Sequence, residues 1–249
     1  SWSPDSRKLA YLAGGPQEHD TGTGDCFIVD ISDGRLRNVS TFTDRPGHDR
    51  LRTPLWDNVG RSLYFIRNGA LWTVKDGKTA HELTRIRDHE VLELVASDHD
   101  HVWLQNRRSA VALTYNTSTK QSGFYRIDTE TGASTKLQEE SRCYRCANVN
   151  DHVYVAPEGD KLAYFAEDAG HGSDLWFSAA DFHSVRRITH LNPQLEKYEM
   201  GESQLVQWRN INGRILQGAL LLPPHYDKEK RYPLVVWVYS GSTGSKYLN

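Results

Sequence analysis

The sequence predicts a mainly β chain: a partial β-propeller of about four blades over residues 1–195, followed by strands of a different sheet over residues 196–249. Three observations carry this. One pattern of short strands and Asp/Gly turns returns four times. Helix signals are nearly absent up to Pro193. Beyond that point a hairpin signal at Asn212-Gly213 precedes the run Leu234-Val235-Val236-Trp237-Val238-Tyr239, which has the texture of a strand buried on both faces.

The first copy opens with Trp2-Ser3-Pro4-Asp5-Ser6, continues through Leu9-Ala10-Tyr11-Leu12-Ala13 and Cys26-Phe27-Ile28-Val29-Asp30, and turns at Asp33-Gly34. The second runs from Trp56-Asp57-Asn58-Val59-Gly60 through Leu63-Tyr64-Phe65-Ile66 and Leu71-Trp72-Thr73-Val74 to the turn Asp76-Gly77 and Glu82-Leu83-Thr84. In the third, residues 110–115 precede Gly123-Phe124-Tyr125-Arg126-Ile127-Asp128, the turn Thr131-Gly132 and Thr135-Lys136-Leu137. The fourth comprises Pro157-Glu158-Gly159-Asp160, Leu162-Ala163-Tyr164-Phe165-Ala166, Asp174-Leu175-Trp176-Phe177-Ser178 and Arg187-Ile188-Thr189. With Leu9, Leu63, Ala110 and Leu162 as inner-strand markers, the spacings are 54, 47 and 52 residues. One four-stranded blade per copy fits these periods better than a sandwich does. Four copies starting in mid-blade are expected to be part of a larger ring.

Residues 190–201 carry no repeat signature and read as a linker, with a boundary near residue 195. Residues 204–208 and 215–222 flank the hairpin signal, and Tyr232-Pro233 starts the apolar run. A central strand needs neighbours on both sides, and this one lies close to Asn249. The expectation is that the chain is a piece of a longer protein.

A net charge of -2 and a pI near 6.6 give no electrostatic case for nucleic acid or an anionic membrane as partner. No apolar run approaches the ~18 residues of a bilayer span, so a soluble chain is expected. The chain opens with Ser1 rather than Met, which leaves an upstream targeting segment, and with it a cytoplasmic or a secreted or periplasmic location, undecided. Cys26, Cys143 and Cys146 are too few for a disulfide scaffold. Cys143-Tyr144-Arg145-Cys146 lacks the second ligand pair of a zinc site, so it reads as two incidental thiols or a local disulfide. Asn38-Val39-Ser40 and Asn116-Thr117-Ser118 are glycosylation sequons, meaningful only on a secreted eukaryotic protein.

Three weaker signals stand beside these. Gly241-Ser242-Thr243-Gly244-Ser245-Lys246 brings its second Gly too early for a phosphate-binding loop. His99-Asp100-His101 lacks a third metal ligand and reads as a solvated turn. Arg107-Arg108 sits at a blade turn and receives no role.

Three segments together resemble the prolyl oligopeptidase family of serine peptidases, in its acylaminoacyl-peptidase and dipeptidyl-peptidase branches. They are residues 2–11 as a blade opening, Asn212-Gly213 with residues 216–224 as the lead-in to the hydrolase domain, and residues 232–241 as the strand before the oxyanion loop. The resemblance implies a propeller covering an α/β-hydrolase domain whose first strands are residues 196–249, a peptide substrate, and no metal or organic cofactor. It leaves a homo-oligomer of the full-length protein open. It also implies that Tyr239 supplies an oxyanion-stabilising hydroxyl and Gly241 an oxyanion-loop backbone group. Ser240-Gly241-Ser242 lacks the Pro that usually follows in the family. No G-x-S-x-G occurs, so nucleophile, acid and base are expected beyond Asn249. Glu139-Glu140 is similar to the paired glutamates with which dipeptidyl peptidases hold a substrate's amino terminus, but without the aromatic-rich setting it reads as a surface pair. The alternative to a peptidase is a non-catalytic propeller that binds a protein or peptide.

Overall fold

A computed structural model describes residues 1–13, 25–40, 42, 53–98, 101–105, 108–144 and 153–237. It is nearly all β. The first blade holds β1 (Lys8–Ala13), β2 (Asp25–Asp30) and β3 (Leu36–Asn38), and the second β4 (Leu55–Trp56), β5 (Ser62–Arg67), β6 (Ala70–Lys75) and β7 (His81–Thr84). The third region runs through β8 (His89–Leu94), β9 (Ala96–Asp98), β10 (His101–Val102), β11 (Leu104–Gln105), β12 (Ser109–Asn116), β13 (Ser122–Asp128) and β14 (Ser134–Glu140). The fourth blade is β15 (Tyr154–Val155), β16 (Lys161–Asp168), β17 (His171–Ala179) and β18 (Arg186–Arg187). Within each blade successive strands pair antiparallel.

The markers taken from the sequence as inner strands are second strands. Each of β1, β5, β12 and β16 carries a shorter strand or bridge on its inner side: Trp2 against Leu9, β4, β8 with β11, and β15. Inner strands of two residues, as β4, β11 and β15 are, are too short to show alternation, so the longer neighbour dominates the pattern.

Period-two alternation explains how the blades stack. Leu63 and Phe65 join Ala10, Ile28 and Trp56 in the core between the first two blades, whereas Tyr64 and Ile66 turn to Ala110, Ala112 and Ile127 of the third. On β12 the intervening Val111 and Leu113 face the other way, into Phe124, Tyr164 and Phe182 of the core against the fourth blade. One strand therefore serves two cores, and every residue along its middle is apolar.

Acidic and amide side chains shape the turns. Asp57 accepts backbone hydrogen bonds from Arg61 (2.9 Å) and Ser62 (3.1 Å), and Asp128 accepts from Glu130 (2.9 Å) and Thr131 (2.8 Å). Gly132 follows at φ +73°, where a Cβ would stand 2.1 Å from the Leu83 carbonyl oxygen, so glycine alone fits.

The inner strand of the third blade is interrupted. β8 and β11 pair in succession along the same edge of β12, and between them the chain leaves the sheet and returns. Backbone hydrogen bonds from Val95 to Val111 (2.8 Å) and from Trp103 to Val95 (2.9 Å) close the neck of this excursion. Its strands β9 and β10 pair with each other; β10 also pairs in parallel with β4 of the second blade, and β9 lies against β15 of the fourth.

After β18 a short 3-10 turn (Pro193–Lys197) leads to the hairpin β19 (Ser203–Arg209) and β20 (Ile215–Leu221). Asn210 accepts from the backbone of Asn212 (3.0 Å) and Arg214 (2.9 Å), and Gly213 takes φ +76°, so Asn212-Gly213 acts within a three-residue loop rather than as a two-residue turn. Residues 232–237 depart from the expected buried strand. They form no ladder, and Leu234, Val235, Val236 and Trp237 are 74%, 90%, 69% and 89% exposed. An extended backbone becomes a strand only against a partner, and β19 and β20 pair solely with each other among the described residues.

Candidate functional site

Tyr239 and Gly241 lie outside the described residues, as does residues 241–246, the loop compared with a phosphate-binding loop. The approach to them is described as far as Trp237. What the structure does fix is the side of the blades from which the chain departs. From Arg186 beside Phe177 it runs to Ile188, whose amide donates to the Leu175 carbonyl (2.8 Å), and to Leu191, whose amide donates to Asp174 (2.9 Å). It thus travels toward the β16–β17 turn, and the linker settles with Asn192 and Leu195 beside Gly172. We call this end the exit face.

Asp174 anchors that departure. Its carboxylate is buried and accepts from Thr189 Oγ1 (2.7 Å) and the Leu191 amide, with Arg187 at 3.6 Å. Burial pushes its pKa up, but these hydrogen bonds and the Arg187 charge outweigh burial, and the net shift is below the ordinary carboxylate value.

Two further clusters stand on the exit face. His89 opens β8 and reaches across to β14, placing Nε2 2.5 Å from Glu139 Oε2, while its Nδ1 lies 2.7 Å from the Arg87 carbonyl oxygen. Tyr125 Oη donates to Glu139 at 3.2 Å. Both side chains of this hydrogen-bonded pair are enclosed, His89 at 10% and Glu139 at 8% exposure. Burial raises the Glu139 pKa, the His89 and Tyr125 hydrogen bonds and the His89 and Lys136 charges lower it further, and the balance is downward. Burial with the neighbouring carboxylate pushes the Tyr125 phenol up to about 12. Glu139 is therefore not half of a surface pair, contrary to the sequence reading. The partner is 50 residues away and on another strand, which no local pattern announces.

Glu140 is the more open of the two, at 34% exposure. It accepts from the Tyr144 hydroxyl, from Gln138 Nε2 (2.7 Å) and from Arg142 (3.2 Å), and Arg142 also stands 3.8 Å from Asp168 and lies over the Trp176 ring at 4.2 Å. Asp168 in turn meets His171 Nδ1 at 2.8 Å. The result is a fixed row of carboxylates held by one stacked guanidinium, able to accept hydrogen bonds from a cationic or amide group presented at this face.

The opposite end, where turns lead into β5, β12 and β16, carries a cavity of about 840 Å³. Ser97 and Trp103 from the excursion and its neck, Asn58, Ser109, Arg126 and the turn at Pro157 line it.

His101 sits in β10 opposite Trp56 rather than in a solvated turn, whereas His99 and Asp100 fall outside the described residues. Arg108 pairs with Asp128 (2.8 Å) and steadies a blade turn; Arg107 and Cys146 fall outside. Cys143 bridges Glu167 through its backbone, and burial pushes the Cys26 thiol up to about 12. Asn116 is 8% exposed with its amide oxygen bound to the backbone of Ser118 (2.9 Å) and Thr119 (3.0 Å), so the folded chain cannot present it for glycosylation; Asn38 is exposed. Among the described residues no three His, Cys, Asp or Glu side chains are grouped to hold a metal ion.

No protein-family model and no curated protein matches the chain. Solved structures do. Puromycin hydrolase in complex with PGG matches with TM-score 0.61 at 16% identity, over 91% of this chain and 34% of its own. The AtxE2 isopeptidase with Astexin3-dC4 bound matches with TM-score 0.55 at 16% identity, over 94% and 35%. An oligogalacturonate lyase in complex with manganese matches with TM-score 0.54 at 14% identity, over 88% and 57%. The chain spans about a third of the length of the first two and more than half of the third. Because a peptidase and a lyase match almost equally well at such identities, what the likeness establishes is a mainly β, propeller-type fold.

Proposed function

We propose that this chain is the propeller and the first sheet strands of a serine peptidase that hydrolyses peptide bonds of short peptides through an acyl-enzyme. The nucleophilic serine, acid and base then come from sequence beyond Asn249, and the particular branch of the prolyl oligopeptidase family remains part of the proposal. The observation that carries it is the exposed apolar segment at residues 234–237, set after a formed hairpin and led in by Tyr232-Pro233. A propeller has no use for such a segment, whereas the sheet of a hydrolase would cover it on both faces. Puromycin hydrolase and the isopeptidase, whose chains are about three times as long, support the same reading.

In this account the serine oxygen attacks the peptide carbonyl, the base takes its proton, and negative charge gathers on the carbonyl oxygen. The Tyr239 hydroxyl donates to that oxyanion, with a backbone N–H of the Gly241 loop beside it. One such donor contributes about 2.7–4 kcal/mol. The partner is a peptide, approaching from the exit face; neither nucleic acid nor a membrane is required. In the full-length protein, Tyr239→Phe is expected to lower kcat for a peptide p-nitroanilide about 10²–10³-fold with KM nearly unchanged. A loss below threefold would remove Tyr239 from the oxyanion role. The second reading, a non-catalytic propeller that binds a protein or peptide, draws on the turn-face cavity and survives if no reactive serine exists.

A further inference from the structure

The turn-face cavity lies at the far end of the blades from the departing chain, and its volume of about 840 Å³ falls within the roughly 300–1,000 Å³ of small-molecule sites. Its two sides differ in chemistry. The third-blade side presents Arg126, Ser109 and Trp103, all with side-chain donors, whereas the fourth-blade side presents the carboxylates of Glu158, Asp160 and Asp181.

One donor points to a ligand. Trp103 is 6% exposed and packs in the core with Val111 and Leu162, yet its indole N–H donates to no group among the described residues. Its Nε1 stands 3.2 Å from where a Cβ on Gly159 would lie, and Gly159, at φ +70°, leaves that space open in the cavity wall. An enclosed N–H is costly to leave without an acceptor, so the position is suited to a group that brings one.

Arg126 is aimed the same way. It follows Phe124 by two residues on β13 and pairs with Val111, so it faces the fourth blade as they do. Its charge reaches the opposite side: the Asp181 carboxyl lies below its ordinary value through the His183 amide foremost, with the charges of His183 and Arg126 adding to it. Asp160 also holds Lys161 at 2.7 Å. Both sides are fixed by the backbone, since the Trp103 amide donates to Val95 (2.9 Å), the Gly159 amide to Ala156 (2.8 Å) and the Ala180 amide to Asp160 (3.0 Å). Little is left to order when a ligand binds.

We propose that this cavity binds a small zwitterion, a short peptide of about dipeptide size with both ends free, whose carboxylate meets the Trp103 N–H and Arg126 and whose ammonium meets the fourth-blade carboxylates. A purely anionic ligand would face three carboxylates, and a purely cationic one would leave Trp103 and Arg126 unmet. The inference stands apart from the peptidase reading: it names a second site, at the other end of the blades, that needs no serine.

The test is calorimetric titration of the full-length protein, pretreated with a fluorophosphonate so that nothing is turned over. The ligands are alanyl-alanine, its N-acetyl form and its C-terminal amide. Alanyl-alanine is expected to bind with Kd below about 1 mM, and each blocked form about tenfold or more weakly, the factor for one lost charge-assisted hydrogen bond. Trp103→Phe keeps a packed ring and removes the N–H, and Arg126→Gln removes the charge. Each should weaken alanyl-alanine about tenfold, and in Arg126→Gln the acid and the amide should bind alike. No binding at about 10 mM overturns the site and leaves water as the partner of Trp103. Binding unchanged in both variants places the dipeptide elsewhere and overturns it too. A blocked form that binds the wild type as well as alanyl-alanine does overturns the zwitterion. Should Trp103→Phe not fold, Arg126→Gln, at a partly exposed position, decides alone. Because turnover is not read, a protein with no reactive serine decides the question equally, and failure here leaves the peptidase reading where it stood.

Discussion

Leu63-Tyr64-Phe65-Ile66 and Leu234-Val235-Val236-Trp237 are alike as sequence, four consecutive apolar or aromatic residues suited to a strand, and they end in opposite surroundings. The first four are 0–8% exposed, and the second four 69–90%. The difference lies in what stands beside them. β5 has β4 and β6 as ladder partners and a blade packed on each face; residues 232–237 have no ladder among the described residues. An apolar run states a demand for partners on both edges and both faces, and the rest of the chain decides whether the demand is met.

The comparison can be broken at its strongest point. Phe124 is fully buried where the third and fourth blades meet, with the Phe182 ring at 4.5 Å, Tyr144 at 4.9 Å and Tyr164 at 5.5 Å. Phe124→Ala is expected to cost about 3–5 kcal/mol in urea unfolding of residues 1–249. A cost below 1 kcal/mol would mean that the blade faces are not packed as described.

A smaller effect is expected at Asp174, which ties the departing chain to β17. Asp174→Asn should cost about 1.5–3 kcal/mol, the range for hydrogen bonds to a charged group. Its folded pKa lies below the ordinary 3.8, so its contribution is fully present above that value and is lost as pH falls through the lower, folded one. Acid unfolding of the wild type should therefore steepen below about pH 4, and the Asn variant should lose that part of the slope. Equal slopes would show that the carboxylate is not held as described.

The smallest effect sharpens the contrast. Val235→Ser in residues 1–249 should change stability by no more than about 0.5 kcal/mol, as for other exposed positions. In the full-length protein the same change should cost at least about 2 kcal/mol if the segment is covered there, because it both removes buried methyl groups and buries a hydroxyl. Equal, small effects in both would leave the segment without a covering sheet.

The blades were legible because alternation and Asp/Gly turns are local signals: Leu162, Tyr164 and Ala166 declare one face of β16, and Asp128 with Gly132 declares the turn that closes β13. The hairpin was legible through Asn212-Gly213 for the same reason. The excursion was not, since β9 and β10 hold only three and two residues and their partners β4 and β15 are distant in sequence. Glu139 reads as a surface residue in the sequence because its environment is set by His89 and Tyr125 across three strands. The oxyanion role proposed for Tyr239 rests on resemblance, because one tyrosine at the end of an apolar run carries no pattern of its own.

The central claim, that the chain opens an acyl-transfer sheet, is tested most directly by reacting the full-length protein with a fluorophosphonate probe and mapping the labelled peptide. The account predicts one labelled serine per chain, on the C-terminal side of Asn249, within G-x-S-x-G. A protein that takes up no probe, or takes it up on a serine within residues 1–249, would contradict it.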